Sequence, residues 1–202
     1  LPLDEPIRSK LGSPSVDTAG AVIASIDKAV RLAQAGDAAG VVTNPIQKEI
    51  LYDAGFSHPG HTEYLAELAG LKSSPVMMLA GKHLRVIPVT IHVSLRQALE
   101  QLKTSEIVHA TQVTYRALKN EFGISQPRIA IAALNPHAGE GGAMGNEEQT
   151  IIQPAITSLL KEGIQVTGPI PPDTLFSPDQ RQTYDAAVCM YHAQALIPIK
   201  VL

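Results

Sequence analysis

The 202-residue sequence predicts an α/β fold, a parallel sheet covered by helices, on three observations. Hydrophobic residues make up 45% of the chain, yet only 4% are aromatic and Trp is absent, so the core is built from Ala, Val, Ile and Leu. Short continuous apolar runs, such as Arg128-Ile-Ala-Ile-Ala-Ala-Leu134 and Asp185-Ala-Ala-Val-Cys-Met-Tyr191, read as strands buried on both faces, as parallel strands are. Longer amphipathic runs ended by glycine alternate with them, the order expected of strand–helix units.

Residues 1–16, rich in Pro and Ser, are expected to be irregular. Asp17 or Thr18 caps a helix over residues 19–35, with Val22, Ile26, Val30 and Ala33 on one face and Gly36 as its stop. Residues 40–43 read as a short buried strand, and Asn44-Pro45 opens a helix carrying Lys48, because Pro is tolerated in a first turn. A turn-rich loop over 53–60 precedes a helix at 61–68, stopped by Gly70. Residues 75–79 and 84–91 are strands joined by a turn near Gly81-Lys82, and His92 lies just past the second. Helices follow from about Ser94-Leu95 and over about 105–122, the latter ended by Gly123. Strand 128–134 leads into a glycine-rich loop, a helix over about 147–162 and a short strand at 165–168. A stiff, proline-rich loop over 169–176 carries Asp173, and the strand 185–191 ends at His192.

Composition narrows the function classes. A net charge of −3 with no Lys/Arg cluster argues against a nucleic-acid partner. One cysteine, Cys189, excludes an internal disulfide framework and suits a reducing compartment. No apolar stretch approaches the roughly 18 residues needed to span a bilayer, so no membrane partner is expected. The opening Leu-Pro-Leu-Asp-Glu-Pro is unlike a signal peptide and lacks an initiator Met, so the chain is expected to be a fragment or a processed product.

The stretch best suited to chemistry is Leu134-Asn-Pro-His-Ala-Gly-Glu-Gly-Gly-Ala-Met-Gly-Asn-Glu-Glu148. A strand feeding a glycine-rich loop and then a helix is where α/β proteins place ligands. Gly139, Gly141, Gly142 and Gly145 permit close backbone approach, and His137 and Glu140 supply reactive groups; the plain alternative is a polar, mobile loop. The glycine spacing is not that of the dinucleotide fingerprint, so a nicotinamide cofactor would not be held in the Rossmann manner.

His92, His137 and His192 each follow an expected buried strand, and in a parallel sheet such ends share one edge. Imidazole is the commonest nitrogen ligand of transition metals, and three ligands with open positions make a catalytic site. Three unrelated histidines is the competing reading. His61-Thr62 at a helix start offers donors to a phosphate or carboxylate, with capping by Thr62 as its structural alternative.

Several strings together resemble the 4-hydroxythreonine-4-phosphate dehydrogenase (PdxA) family of pyridoxal phosphate biosynthesis. They are Val42-Thr-Asn-Pro-Ile46 with Lys48, Gly60-His-Thr-Glu63, Met77-Met-Leu79 and Asn135-Pro-His-Ala-Gly-Glu-Gly-Gly142. Gly168-Pro-Ile-Pro-Pro-Asp-Thr-Leu-Phe176, and Tyr191-His192 followed by Ile197-Pro-Ile-Lys200, complete the set in family order. The resemblance implies a three-layer α/β/α fold related to isocitrate and isopropylmalate dehydrogenases, of which residues 1–202 would be the central portion of a two-domain chain. It implies that His92, His137 and His192 bind a divalent metal (zinc, cobalt, manganese or magnesium), with one ligand contributed across a homodimer interface. It implies that His61, Thr62 and Lys200 bind substrate. The reaction implied is NAD- or NADP-dependent oxidation of 4-phosphooxy-L-threonine followed by decarboxylation, in the cytoplasm. Asp173 and Lys48 are the candidate catalytic bases, and Asp173 has turn-forming or capping as its other role.

Two departures bear on that expectation. Family segments before Leu1 and after Leu202 are absent from the sequence; a polypeptide that ends at Leu202 is expected to bind NAD weakly or not at all and to give no useful turnover. Ala193 stands where the family usually has Asp, and Ala195 and Ala143 differ more mildly. The alternatives are a dehydrogenase of another phosphorylated or carboxylated hydroxy acid, or a catalytically impaired metal- or anion-binding fragment.

Overall fold

The computed structural model describes residues 12, 13 and 15–202, so most of the irregular stretch expected over 1–16 lies outside the described residues. The chain forms two compact units, one ending at Pro75 and the other spanning Val76–Leu202.

The first unit is helical, with α1 (Ala19–Gln34), α2 (Lys48–Asp53) and α3 (His61–Leu68). Ala19, Ile26, Val30, Leu51, Phe56 and Tyr64 form its buried core, with Val22 packed against it, as the helical spacing requires. The Tyr64 hydroxyl donates to Asp27 at 2.5 Å; burial, and then the Asp27 carboxylate, push the phenol up to about 12. Thr18 makes no side-chain capping bond to α1; its hydroxyl donates instead to the Ser15 carbonyl, and Ser15 caps the turn before the helix. The strand expected at 40–43 does not form, and Val42 is fully exposed. An apolar run becomes a strand only where a neighbour takes its N–H and C=O groups, and none among the described residues does. The second helix accordingly begins at Lys48, not at Asn44-Pro45.

The second unit is a sheet between helical layers. Its strands are β1 (Leu79–Ala80), β2 (Arg85–Thr90), β3 (Ile129–Ala132), β4 (Val166–Ile170) and β5 (Ala186–Tyr191). Its helices are α4 (Leu95–Gln101), α5 (Thr104–Asn120), α6 (Gln153–Lys161), α7 (Pro172–Leu175) and α8 (His192–Val201). Among the described residues the strands form one sheet in the order β1-β2-β5-β3-β4, with only the β1–β2 pair antiparallel. Alternate residues of one strand serve opposite cores. Ile129, Ile131, Val188 and Met190 pack with α5 and α6, while Ala130, Ala132, Ala187 and Cys189 pack with Leu175 of α7 and Ala195 of α8. This is the three-layer α/β/α arrangement, and apolar contacts on both faces explain the unbroken apolar runs. Strand order runs one way from β2 through β3 to β4, then reverses to β5. Right-handed crossovers therefore put α5 and α6 on one face and α7 on the other.

Three local expectations change. Of the strand expected at 75–79 only Leu79 pairs with β2, joined by Ala80 beyond it, and Pro75 has no N–H to give a ladder. The helix after the glycine-rich loop opens as a π-helical turn, Glu148–Ile152. Pro154 cannot donate to residue 150, so the turn ahead of it widens. The loop expected at 169–176 is part strand and part helix: β4 extends to Ile170, and Pro172 opens α7 with Asp173 in its first turn.

At the amino end of the sheet, the Asp185 carboxylate accepts the Arg128 backbone N–H at 2.8 Å and its guanidinium at 3.0 Å. Burial alone would raise this carboxyl, but the Arg128 bonds outweigh it and hold it below the ordinary carboxylate value. A folded-state value below the unfolded one gives stability that is present above about pH 4 and lost as pH falls through the folded value. Asp185→Asn is therefore expected to cost about 1 kcal/mol at pH 7, because the ion pair is partly solvent-screened. Urea unfolding should show that difference shrinking as the pH is taken down through and below the ordinary carboxylate range.

Candidate active site

β2 and β5 are parallel neighbours that end together, with Thr90 opposite Tyr191. The buried Thr90 hydroxyl donates to the Met190 carbonyl at 2.9 Å and ties the two strands at that end. Past it the chain turns sharply: His92 has φ 53°, a left-handed conformation, and His192 is the first residue of α8. The two imidazoles face each other with ring centroids 5.7 Å apart. Tilted by 46° at this distance, the two rings are within ring–ring contact range, and imidazole is also the commonest nitrogen donor to transition metals. A non-glycine residue at positive φ costs on the order of 1–3 kcal/mol, and such strain concentrates at functional sites.

The third expected ligand stands on an unusual loop. His137, Ala138, Gly139, Glu140 and Gly141 all have φ between 46° and 79°, a left-handed turn. The His137 Nδ1 lies 4.0 Å from Glu140 Oε2, and both side chains are well exposed. Within one chain the structure thus brings His92 and His192 together and leaves His137 apart. Among the described residues, no group of three or more His, Cys, Asp or Glu side chains is arranged to hold a metal ion.

A residue that sequence reasoning passed over supports this edge. β3 and β5 pair up to Ile131 and Val188, and beyond that the Gln194 amide bridges them. Its Oε1 accepts the Met190 N–H at 2.6 Å and its Nε2 donates to the Ala133 carbonyl at 2.7 Å. The side chain is buried and takes the place of a missing ladder step. Gln194→Leu would leave a buried N–H and a buried C=O unpaired and is expected to cost about 2–4 kcal/mol, read from denaturant unfolding.

Beside α8 lies a largely apolar cavity of about 440 Å³ lined by residues that include Asp173, Tyr191, Ala193, Gln194 and Ile197. Asp173 is exposed in the first turn of α7, and its Oδ1 accepts the Thr174 N–H at 2.9 Å. Ala193 opens onto the same cavity. Lys200 is exposed and lies on α8, about 12 Å along the axis from His192.

In the first unit, Lys48 reaches the start of α3, where its Nζ and Glu63 Oε2 each lie 3.6 Å from where a Cβ on Gly60 would stand. His61 lines a cavity of about 260 Å³ with Thr43, Asn44 and residues of α1. Its Nε2 is buried with no hydrogen-bond partner among the described residues. Thr62 is inside α3, whose cap position is Gly60, so the capping role considered for it is not the one it plays.

The sequence profile of the family described as pyridoxal phosphate biosynthetic protein PdxA matches residues 2–202. The chain belongs to the PdxA family. It is 56% identical over 194 residues to the 4-hydroxythreonine-4-phosphate dehydrogenase of Bradyrhizobium diazoefficiens, an alignment covering 95% of this chain and 56% of that protein. The crystal structure of the Klebsiella pneumoniae 4-hydroxythreonine-4-phosphate dehydrogenase matches it with a TM-score of 0.92 and 40% identity, over 100% of this chain and 61% of that one. A terephthalate 1,2-cis-dihydrodiol dehydrogenase from Burkholderia xenovorans matches with a TM-score of 0.74 and 30% identity, over 94% of this chain and 60% of that one. The chain therefore spans roughly three fifths of the length of these PdxA-like relatives. No helix among the described residues is long and apolar enough to cross a membrane.

Proposed function

We propose that this chain is the central part of a two-domain, metal-dependent, NAD- or NADP-linked dehydrogenase that oxidises 4-phosphooxy-L-threonine and releases carbon dioxide, in the cytoplasm. The observation that carries this reading is the His92–His192 pair at the carboxyl ends of two adjacent parallel strands, in a chain of the PdxA family. His92, His137 and His192 would hold a divalent ion, with one imidazole supplied across a homodimer, which accords with only two of the three lying close in a single chain. Imidazoles with oxygen donors suit zinc, cobalt or manganese, and magnesium less well. Such an ion supplies a Lewis acid that stabilises negative charge on the substrate's hydroxyl oxygen as hydride departs.

The protein groups do the rest. His61 Nε2 and the Thr62 hydroxyl offer donors to an anionic substrate group at a helix start, and Lys200 offers a point charge to phosphate or carboxylate. Asp173, exposed beside the cavity, and Lys48 are the groups able to take the hydroxyl proton.

The test is nicotinamide reduction by the chain with divalent metal and NAD or NADP, using 4-phosphooxy-L-threonine and a carboxylated cis-dihydrodiol as rival substrates. Any reduction is expected with the phosphorylated compound alone. Reduction with the dihydrodiol alone would select the second reading, a dehydrogenase of carboxylated alcohols, which the match to the Burkholderia xenovorans enzyme favours. Metal binding without reduction of either nucleotide would mark a non-catalytic metal-binding fragment. Ala193→Asp, restoring a carboxylate beside His192, is expected to tighten metal binding roughly 10-fold or more by calorimetry.

A further inference from the structure

We propose that Glu148 is the positioning residue of the His137 loop: its buried carboxylate fastens the left-handed turn to the end of β3 and so fixes where the imidazole stands. The functional consequence rests on the reading of His137 as a metal ligand; the fastening itself does not.

The turn needs an outside support. Three of its five left-handed residues, His137, Ala138 and Glu140, are not glycine and so stand in an unfavourable conformation. The backbone bonds at its edges include Ala138 N–H to the Asn135 carbonyl at 3.2 Å, Ala143 N–H to the Glu140 carbonyl at 3.3 Å and Met144 N–H to the Gly139 carbonyl at 3.1 Å. Ala133 makes a bond to β4, donating to the Ile170 carbonyl at 2.8 Å. From there Glu148 takes over. Its Oε1 accepts the Leu134 N–H at 2.8 Å and the Asn135 N–H at 2.7 Å, and its Oε2 accepts the Asn135 side-chain amide at 2.9 Å. The same Oε2 lies 2.7 Å from where a Cβ on Gly139 would stand, so one carboxylate touches both the entry and the middle of the turn. Glu148 is only 4% exposed. Burial would raise its carboxyl, but the bonds from Asn135, its own N–H and Leu134 prevail and keep it below the ordinary value.

All three partners are donors, so the site demands a group that only accepts. A glutamine would turn an NH₂ toward N–H groups, and an aspartate is one methylene too short to reach both ends.

The experiment compares the native chain with Glu148→Gln, and with Asp185→Asn as a carboxylate control at the opposite end of the sheet. Amide hydrogen exchange by mass spectrometry and cobalt(II) affinity by calorimetry are the two readouts. Glu148→Gln should exchange at least 10-fold faster over residues 134–145 while β2 and β5 keep native protection, and should bind cobalt roughly 10–100-fold more weakly. Asp185→Asn should leave both readouts native. Native exchange of the loop in Glu148→Gln overturns the proposal, and so does faster exchange with unchanged cobalt affinity. A native chain that binds no cobalt defeats the metal reading alone, and loop exchange then decides the role of Glu148. Should Glu148→Gln fail to fold, Asn135→Ala removes one of the three bonds and should give the same changes, smaller.

Discussion

His192→Ala is expected to lower divalent-metal affinity by more than 100-fold, and His92→Ala by a similar factor. Losing a group that only orients a metal ligand costs roughly 10–100-fold, and losing the ligand itself costs more. The two rings lie 5.7 Å apart, and removing either leaves two imidazoles where the site has three. His92 allows a second comparison, because its φ of 53° suits glycine better than alanine. His92→Gly should lose the metal equally while unfolding at a higher urea concentration than His92→Ala. Calorimetry with zinc or cobalt reads the first effect. Metal affinity within a few-fold of native in both alanine variants would show that the pair is not a binding site.

Gly139→Ala is the second large effect, expected to destabilise the second unit by roughly 2–5 kcal/mol. A Cβ there would meet Glu148 Oε2 at 2.7 Å and the Gly145 carbonyl oxygen at 2.8 Å. The second of these is backbone and cannot swing away, and Glu148 is held by its three donors. The residue also has φ 79°, which alanine adopts at a cost. Ala138→Gly, at φ 53°, is expected to act in the opposite sense, stabilising by up to about 1 kcal/mol. Denaturant unfolding of both variants checks the signs. If Gly139→Ala were neutral, the loop would not have this left-handed path.

The sheet was legible in the sequence because parallel strands buried on both faces are continuous apolar runs. The strands read at 128–134 and 185–191 lie within one or two residues of β3 and β5. The run 40–43 was equally apolar and forms no strand, because composition does not reveal whether a pairing partner exists. The helix start at Ser94 was legible through its cap, which closes reciprocally with Gln97, whereas the π-helical opening at Glu148 depends on which bond Pro154 forfeits. For the site, the placement of His92 and His192 follows directly from strand ends in a parallel sheet. Glu148 and Gln194 are not legible in the sequence because a buried carboxylate and a buried amide look like solvent-facing residues until their backbone partners are known. Their signal in the sequence was faint: a polar residue interrupting the apolar side of a helix start, at Glu148 after the glycines and at Gln194 two residues past His192.

The central claim is a metal centre built from three imidazoles, and X-ray absorption at the metal edge counts them directly. The zinc- or cobalt-loaded chain should show three histidine nitrogens per metal at about 2.0–2.1 Å, falling to two in His137→Ala. An all-oxygen shell, or a count in the native chain that His137→Ala leaves unchanged, would contradict it.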